Sequence, residues 1–137
     1  MISTDILTKN HIDKISEILS KYGLALDKNL ILTPNPGTWA RDKGVQNIKI
    51  WDIAFSTTEH PSERKLIIFS EIMPYNSVRS ILSRIDFSIG TRRCKKLDSP
   101  ESFITHLTLH EIAHLVKKMT QEEEEKADDW AAKEMGI

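Results

Sequence analysis

The stretch His110-Glu111-Ile112-Ala113-His114 places two histidines four positions apart, with a glutamate directly after the first. Residues four apart on a helix lie on one face, so the two imidazoles can converge on one point. Zinc in proteins is bound by side chains that converge in this way. The carboxylate of Glu111 lies beside them, where it can reach a water molecule on the metal. The stretch therefore predicts a helix that presents a zinc site.

The residues around this stretch favour a helix that is packed on several sides. Ser99-Pro100-Glu101 supplies an N-cap, a proline at the first helical position and an acid in the first turn. Apolar residues are then spread around most of the helix surface: Phe103, Ile104, Leu107, Leu109, Ile112, Ala113, Leu115, Val116 and Met119. The polar side chains of the motif must therefore lie in a mostly buried segment, where a metal ion would supply the partner that they need.

A third metal ligand is expected on the segment that follows. Thr120-Gln121-Glu122-Glu123 has the T-x-x-E pattern of a capping box, which predicts a new helix. The inward face of that helix should contain Ala127, Trp130, Ala131 and Met135. Glu124 lies on or near this face, and Glu123 is the only serious alternative. Glu122 and Glu125 point away and are expected to be solvated at the helix start.

The two helices are expected to form an antiparallel hairpin with a tight turn near Met119-Thr120. Residues equidistant from such a turn lie level with each other, and both His114 and Glu124 are about 7 Å from it at a rise of ~1.5 Å per residue. Helix axes pack ~8–10 Å apart, so one ion can bridge the two side chains. By the same reasoning Asp128 lies level with His110, where its carboxylate can orient the imidazole, with a simple surface acid as the alternative. His106, one turn before His110, is expected to line the cleft or to cap a contact in the core.

The pattern H-E-I-A-H followed by E-x-x-A-D-x-W-A-A resembles the gluzincin branch of zinc metallopeptidases, over about residues 100–136. Within that branch it is most similar to the ImmA/IrrE-type small peptidases, whose segment typically reads E-x-E-A-N-x-F-A, and to minimal single-domain gluzincins. The matching residues are Glu124, Ala127, Asp128, Trp130 and Ala131, while Lys126 replaces the second acid. The resemblance implies a zincin-like fold, with a glutamate on the next helix as the third ligand. The connection from His114 to Glu124 is shorter than in these families.

The composition indicates a soluble globular protein, and the length of 137 residues indicates a single domain over residues 1–137. A net charge of −1 gives no strong electrostatic case for binding nucleic acid or a membrane. Without a visible signal peptide or a transmembrane run, a cytoplasmic location is expected. Cys94 lies in the basic stretch Arg92-Arg93-Cys94-Lys95-Lys96, which should lower its pKa. It is interpreted as an incidental loop thiol, with a role as a cap or ligand of the zinc as the alternative.

The rest of the chain predicts an α+β domain, with an N-terminal helix and a small sheet of about three strands packed on the metal helix. We expect helices over residues 4–22 and 78–85, and strands over residues 30–33, 48–55 and 66–72. Residues 34–44, 57–64 and 90–99 are expected to be loops or turns. Because an edge strand commonly aligns the substrate in zincins, residues 66–72 are a weak candidate for that role.

The predicted function is a zinc metallopeptidase that acts on a protein or peptide. His110, His114 and Glu124 would bind zinc and leave one position for water, and Glu111 would act as general base. A second donor for the oxyanion is expected among Tyr75, His106, Arg92, Arg93 and His60. Three alternatives stay open: an inactive domain that keeps zinc for stability, a metallohydrolase with a non-peptide substrate, and core histidines without a metal. The oligomeric state is not predicted.

Overall fold

Helices surround a three-stranded mixed sheet in the computed structural model, which describes residues 7–48 and 52–137. The described helices are α1 (Lys9–Lys21), α2 (Leu26–Asn29), α3 (Pro36–Asp42), α4 (Tyr75–Ile89), α5 (Thr91–Cys94), α6 (Pro100–Leu115) and α7 (Glu124–Glu134). The strands are β1 (Leu30–Thr33), β2 (Ala54–Thr58) and β3 (Lys65–Ser70). The predicted α+β class with about three strands is confirmed. Among these helices, none is both long and apolar enough to cross a bilayer.

The central strand is β3, which pairs in parallel with β1 and antiparallel with β2. Its residues Leu66, Ile67, Ile68 and Phe69 are at most 1% exposed, because both faces of the strand are covered. Ile67 and Phe69 belong to the main core, whereas Leu66 and Ile68 pack into a second cluster on the opposite face. The expectation that residues 66–72 form an edge strand is therefore wrong. A continuous apolar run is typical of an interior strand, and the edge on this side of the sheet is β2.

Helix α6 crosses the main core and is buried at every residue from His106 to Leu115. Its start is the predicted cap, in which the Ser99 hydroxyl accepts a hydrogen bond from the backbone N–H of Ser102 (3.1 Å), with Pro100 in the first turn. The helix contacts α1, α7 and β2. The predicted helix that is packed on several sides is therefore confirmed, and it carries its polar motif into a buried position.

Two segments that were expected to be loops contain short helices. Residues 34–44 include α3, where the Asn35 side chain accepts a hydrogen bond from the N–H of Thr38 (2.9 Å) and Pro36 stands at the first helical position. This helix places the ring of Trp39 against Phe55, with ring centroids 6.0 Å apart. Residues 90–99 include α5. The pair Asn-Pro is common in turns but also at the start of a helix. Here it begins α3, and Trp39 of that helix packs on Phe55.

The other boundaries shift by a few residues. Helix α1 begins at Lys9 after the N-cap Thr8, and the part of the predicted helix at residues 4–6 lies outside the described residues. Strand β2 runs later than the predicted residues 48–55, of which residues 49–51 also lie outside the described part. Helix α4 extends beyond the predicted residues 78–85 by about one turn at each end.

Candidate metal centre

Three predicted ligands meet between α6 and α7. The Nε2 atoms of His110 and His114 are 3.2 Å apart. The Oε1 atom of Glu124 lies 3.2 Å from Nε2 of His110 and 2.7 Å from Nε2 of His114. A tetrahedral zinc ion with bonds of ~2.0–2.2 Å holds its ligand atoms about 3.3–3.5 Å apart. The observed triangle therefore needs only small outward movements of the side chains to accept such an ion.

The far nitrogen of each imidazole is already held by an acceptor. Nδ1 of His114 lies 3.0 Å from the backbone carbonyl of Met119, and a carbonyl can only accept, so this nitrogen carries a proton. Nδ1 of His110 lies 2.7 Å from a carboxylate oxygen of Asp128, which likewise favours an N–H there. Both Nε2 atoms then face the Glu124 carboxylate. Without a metal these nitrogens must carry protons to hydrogen-bond the carboxylate, and a metal ion can take the place of those protons.

The protonation equilibria show the same preference for positive charge at this point. Burial opposes charging of His110, but its hydrogen bonds to Asp128 and Glu124 outweigh this and raise its pKa to about 9. For His114, burial is likewise outweighed, chiefly by the hydrogen bond to Glu124, and its pKa is raised. Burial would raise the pKa of Glu124, yet its hydrogen bonds to both histidines hold that pKa well below its usual range. The carboxylate is therefore ionised.

Asp128 is the buried anchor behind His110. Its carboxylate is 0% exposed, and the same oxygen that faces Nδ1 of His110 lies 2.9 Å from Nε2 of His106. The predicted contact between Asp128 and His110 is thus present, while its role in metal binding stays a prediction. His106 was expected to line the cleft or to cap a core contact. Its ring is fully buried against Asp128, so it lies in the core. Its Nδ1 atom has no partner among the described residues.

Two overlapping groups of side chains could hold a metal ion: His106, His110 and Asp128, and His110, Glu111 and His114. In the first group, Asp128 is already paired with the guanidinium of Arg84. In the second group the ligand atoms lie within 4.8 Å of one another, and Glu124 completes it from α7. Because His110 and Glu124 also line an open cleft, this second group is the one that an ion and a water molecule can reach.

The cleft has a volume of about 630 Å³ and lies between β2, α4, α6 and the segment that leads into α7. Glu111 lines it beside His110, and its side chain is nearly buried at 5% exposure. Burial raises the pKa of Glu111, and the two neighbouring histidines oppose the rise. Within the described part of the chain its carboxylate accepts no hydrogen bond, so it is available to a water molecule in the cleft. That is the arrangement a general base requires.

The outer edge of β2 forms one wall of this cleft. The register pairs Phe55 with Ile68, and the backbone bonds Ser70 N–H to Ile53 C=O (2.8 Å) and Glu59 N–H to Arg64 C=O (2.8 Å) continue the ladder at odd-numbered positions of β2. In an antiparallel pair, alternate residues direct their backbone groups away from the partner. The N–H and C=O groups of Ala54 and Ser56 therefore point outward, along the cleft.

The connection between α6 and α7 differs from the predicted tight turn. Helix α6 ends at Leu115 and α7 begins at Glu124, so the turn near Met119-Thr120 lies within a longer loop. The capping box is only partly formed, because the Glu123 carboxylate accepts the N–H of Thr120 (2.8 Å) but the hydroxyl does not cap the helix. The loop is roughly symmetric about the predicted turn, and therefore His114 and Glu124 still lie level. Glu123 is occupied by Thr120 and by Lys126 (3.2 Å), so it lies outside the metal site.

Other candidates from the sequence lie elsewhere. Tyr75 borders a separate cavity beside α5, His106 is sealed behind Asp128, and Arg93 pairs with Asp129 (2.9 Å). Arg92 and His60 likewise do not line the cleft in the described structure. The thiol of Cys94 is half-buried, and burial raises its pKa, with Asp86 adding to the rise, so the predicted lowering of its pKa is wrong. Among the described residues that line the cleft, Arg84 is the one arginine or lysine. The sequence did not indicate it, because no local pattern on α4 distinguishes it from a surface arginine.

Comparison with protein-family models, curated proteins and solved structures finds no match to this chain. The resemblance to gluzincins therefore rests on the motif residues alone, and membership of that branch stays a prediction. What the structure adds is independent of ancestry. It is a buried group of histidines and carboxylates that could hold a metal ion, with a cleft in front.

Proposed function

We propose that the protein is a zinc-dependent metallopeptidase with a zincin-like arrangement of its helices and sheet. The observation that carries the proposal is the convergence of two imidazole Nε2 atoms and one carboxylate oxygen within 3.2 Å of each other, each imidazole being fixed from behind. In the metal-free protein, protons on the imidazoles stabilise this convergence, and a metal ion can take their place. Two imidazoles and one carboxylate form the ligand set of zinc peptidases, with one position left for water.

The role of Glu111 distinguishes a catalytic site from a structural one. A bound ion in this ligand set would lower the pKa of a water molecule and polarise a carbonyl group. Glu111 lies within 4.8 Å of the histidine ligand atoms and opens onto the cleft, so it can take the proton from that water and pass it to the leaving amine. A site that holds zinc only for stability needs no such base. The inactive zinc-stabilised domain is therefore the second candidate.

The shape of the cleft favours an extended peptide as substrate. An extended chain can pair with the exposed edge of a strand through backbone hydrogen bonds. Ala54, which is half-buried, and Ser56, which is 7% exposed, direct their backbone groups along the wall of the cleft beside the proposed ligands. A peptide bound there would run past His110 and Glu111. This geometry favours peptide hydrolysis over reactions on compact small molecules.

The first test is the metal content of the purified protein, measured by elemental analysis on wild type, Glu124→Ala and Glu123→Ala. Glu123 is the matched control because it is the preceding residue, has the same side chain and makes its contacts outside the site. We expect about one zinc per chain in wild type and in Glu123→Ala. Glu124→Ala should lose it. A wild-type protein that takes up no zinc when supplied with it would remove the metallopeptidase proposal.

The second test separates the two candidates. Glu111→Gln keeps the shape of the side chain and removes the base, so it should retain zinc and lose hydrolysis of a peptide library. If wild type binds zinc but neither it nor Glu111→Gln cleaves any peptide of the library, the zinc-stabilised binding domain becomes the better description.

A further inference from the structure

Arg84 reaches the metal centre from α4 and contacts both carboxylates of α7. Its Nε atom donates to Oδ2 of Asp128 (3.2 Å) and its Nη2 atom donates to Oδ1 (3.1 Å), which is a two-point contact. Its Nη1 atom lies 3.6 Å from Oε2 of Glu124. Helices α4 and α7 pack against each other, so the contact joins two elements across the site.

Each of the two carboxylates contacts both a histidine and Arg84. Glu124 directs Oε1 to the histidines and Oε2 to Arg84. Asp128 directs Oδ1 to Nδ1 of His110, while Arg84 bridges both of its oxygens. One guanidinium therefore limits the movement of a predicted ligand and of the carboxylate that orients a second ligand. A planar guanidinium can hold two carboxylates in this way, whereas a lysine ammonium cannot reproduce the two-point geometry.

Arg84 also contributes to the charge balance of the site. Glu111, Glu124 and Asp128 place three carboxyl groups around the buried histidines, and Asp128 has no access to solvent. Arg84 supplies the compensating charge behind His110, next to the group formed by His106, His110 and Asp128. The proposed ion would therefore lie on the cleft side, between the two Nε2 atoms and Glu124.

We propose that Arg84 is a positioning residue of the metal centre, which increases metal affinity by holding Glu124 and Asp128 in place from α4. This inference rests on the proposed metal site at His110, His114 and Glu124. It adds a third helix to the site, because the proposed ligands come from α6 and α7 and none comes from α4.

The experiment compares the metal affinity of wild type, Arg84→Met, Arg84→Lys and Arg93→Met. Arg93→Met is the matched control, since Arg93 also ties a preceding helix to α7 through the adjacent acid Asp129 (2.9 Å), outside the site. Zinc affinity is measured by competition with a chelator, at a temperature well below the unfolding midpoint of each metal-free protein. A loss of general stability then does not change the affinity.

We expect zinc binding to weaken about 10–100-fold in Arg84→Met, as is typical when a residue that orients a ligand is removed. Arg84→Lys keeps the charge and loses the two-point contact, so its zinc affinity should lie between those of wild type and Arg84→Met. Arg93→Met should bind within about twofold of wild type. Cobalt substituted for zinc should give a changed visible absorption spectrum in Arg84→Met, because the ligand geometry relaxes.

Wild-type affinity in both Arg84 variants would overturn the inference and leave the metal site intact. If Arg84→Met does not fold, Arg84→Lys alone decides, and an unchanged affinity in it overturns the inference. An absence of zinc binding in wild type would instead remove the proposed function, and this inference with it.

Discussion

The substitution Asp128→Asn tests how much of the fold depends on the buried charge behind the proposed metal centre. Asp128 is 0% exposed and faces His106, His110 and, through two contacts, Arg84. An amide in its place offers only one acceptor oxygen and turns an NH2 group toward donors. Breaking a buried pair by removing one partner costs about 3–5 kcal/mol. We therefore expect the free energy of unfolding of the metal-free protein to fall by about that amount.

The neighbouring substitution Asp129→Asn is the control. Asp129 lies one residue further on the same helix and pairs with Arg93 (2.9 Å) and Lys133 (3.0 Å), but its side chain is 39% exposed. Exposed ion pairs contribute at most about 1 kcal/mol, so this variant should stay close to wild type. The two proteins differ in the position of one amide, and therefore the comparison isolates burial and partners.

The assay is thermal and urea unfolding of both variants in the presence of a chelator at neutral pH. At ~4 °C per kcal/mol for a domain of this size, Asp128→Asn should lower Tm by about 12–20 °C and Asp129→Asn by less than about 4 °C. If the two variants differ by less than about 1 kcal/mol in urea, the buried network does not stabilise the protein as argued, and the reasoning from burial is refuted.

The remaining predictions concern pH and the proposed substrate edge. Metal and proton compete for His110, whose pKa is raised to about 9, so zinc affinity should fall as the pH is lowered from about 9, by up to ~tenfold per pH unit for each displaced proton. Calorimetry in buffers of different ionisation heat should detect the released protons. An affinity that does not depend on pH would contradict this prediction. In the metal-free protein that raised pKa contributes stability that is complete below about pH 6.5 and is lost as the pH rises through about 9. The lowered pKa of Asp128 acts in the opposite sense: its contribution is present above about pH 4 and lost as the pH falls further, so urea unfolding between pH 5 and 2 should show a shallower acid loss in Asp128→Asn than in wild type. Ala54→Pro removes an outward N–H of β2 without removing a hydrogen bond to β3, so it should raise KM for peptides with little change in stability. The control Thr57→Pro removes a hydrogen bond between β2 and β3 and should destabilise the fold by about 3 kcal/mol. Equal KM values in wild type and Ala54→Pro would argue against substrate pairing at this edge.

The local patterns of the sequence were enough to predict the core of the site. The i, i+4 spacing of His110 and His114 and the cap at Ser99 predicted α6, and the structure confirms the helix and its burial. Counting from an expected turn placed Glu124 level with His114, and the structure places them together even though the turn is a longer loop. These inferences succeeded because helix geometry is set by neighbouring residues, and errors on the two sides of a symmetric loop cancel.

Long-range features were beyond such reasoning. The sequence showed three strands but not their order, because an apolar strand has the same sequence pattern whether one or both of its edges are paired. In the structure β3 is central, and β2 borders the cleft. Arg84 likewise looks like one more arginine on an amphipathic helix, and only the packing of α4 on α7 brings it to Asp128. By itself the sequence indicated which residues could bind a metal, since ligand chemistry and helical spacing are local. The tertiary structure alone decided what orients those side chains and which strand edge faces them, because both depend on contacts between segments that are distant in the chain.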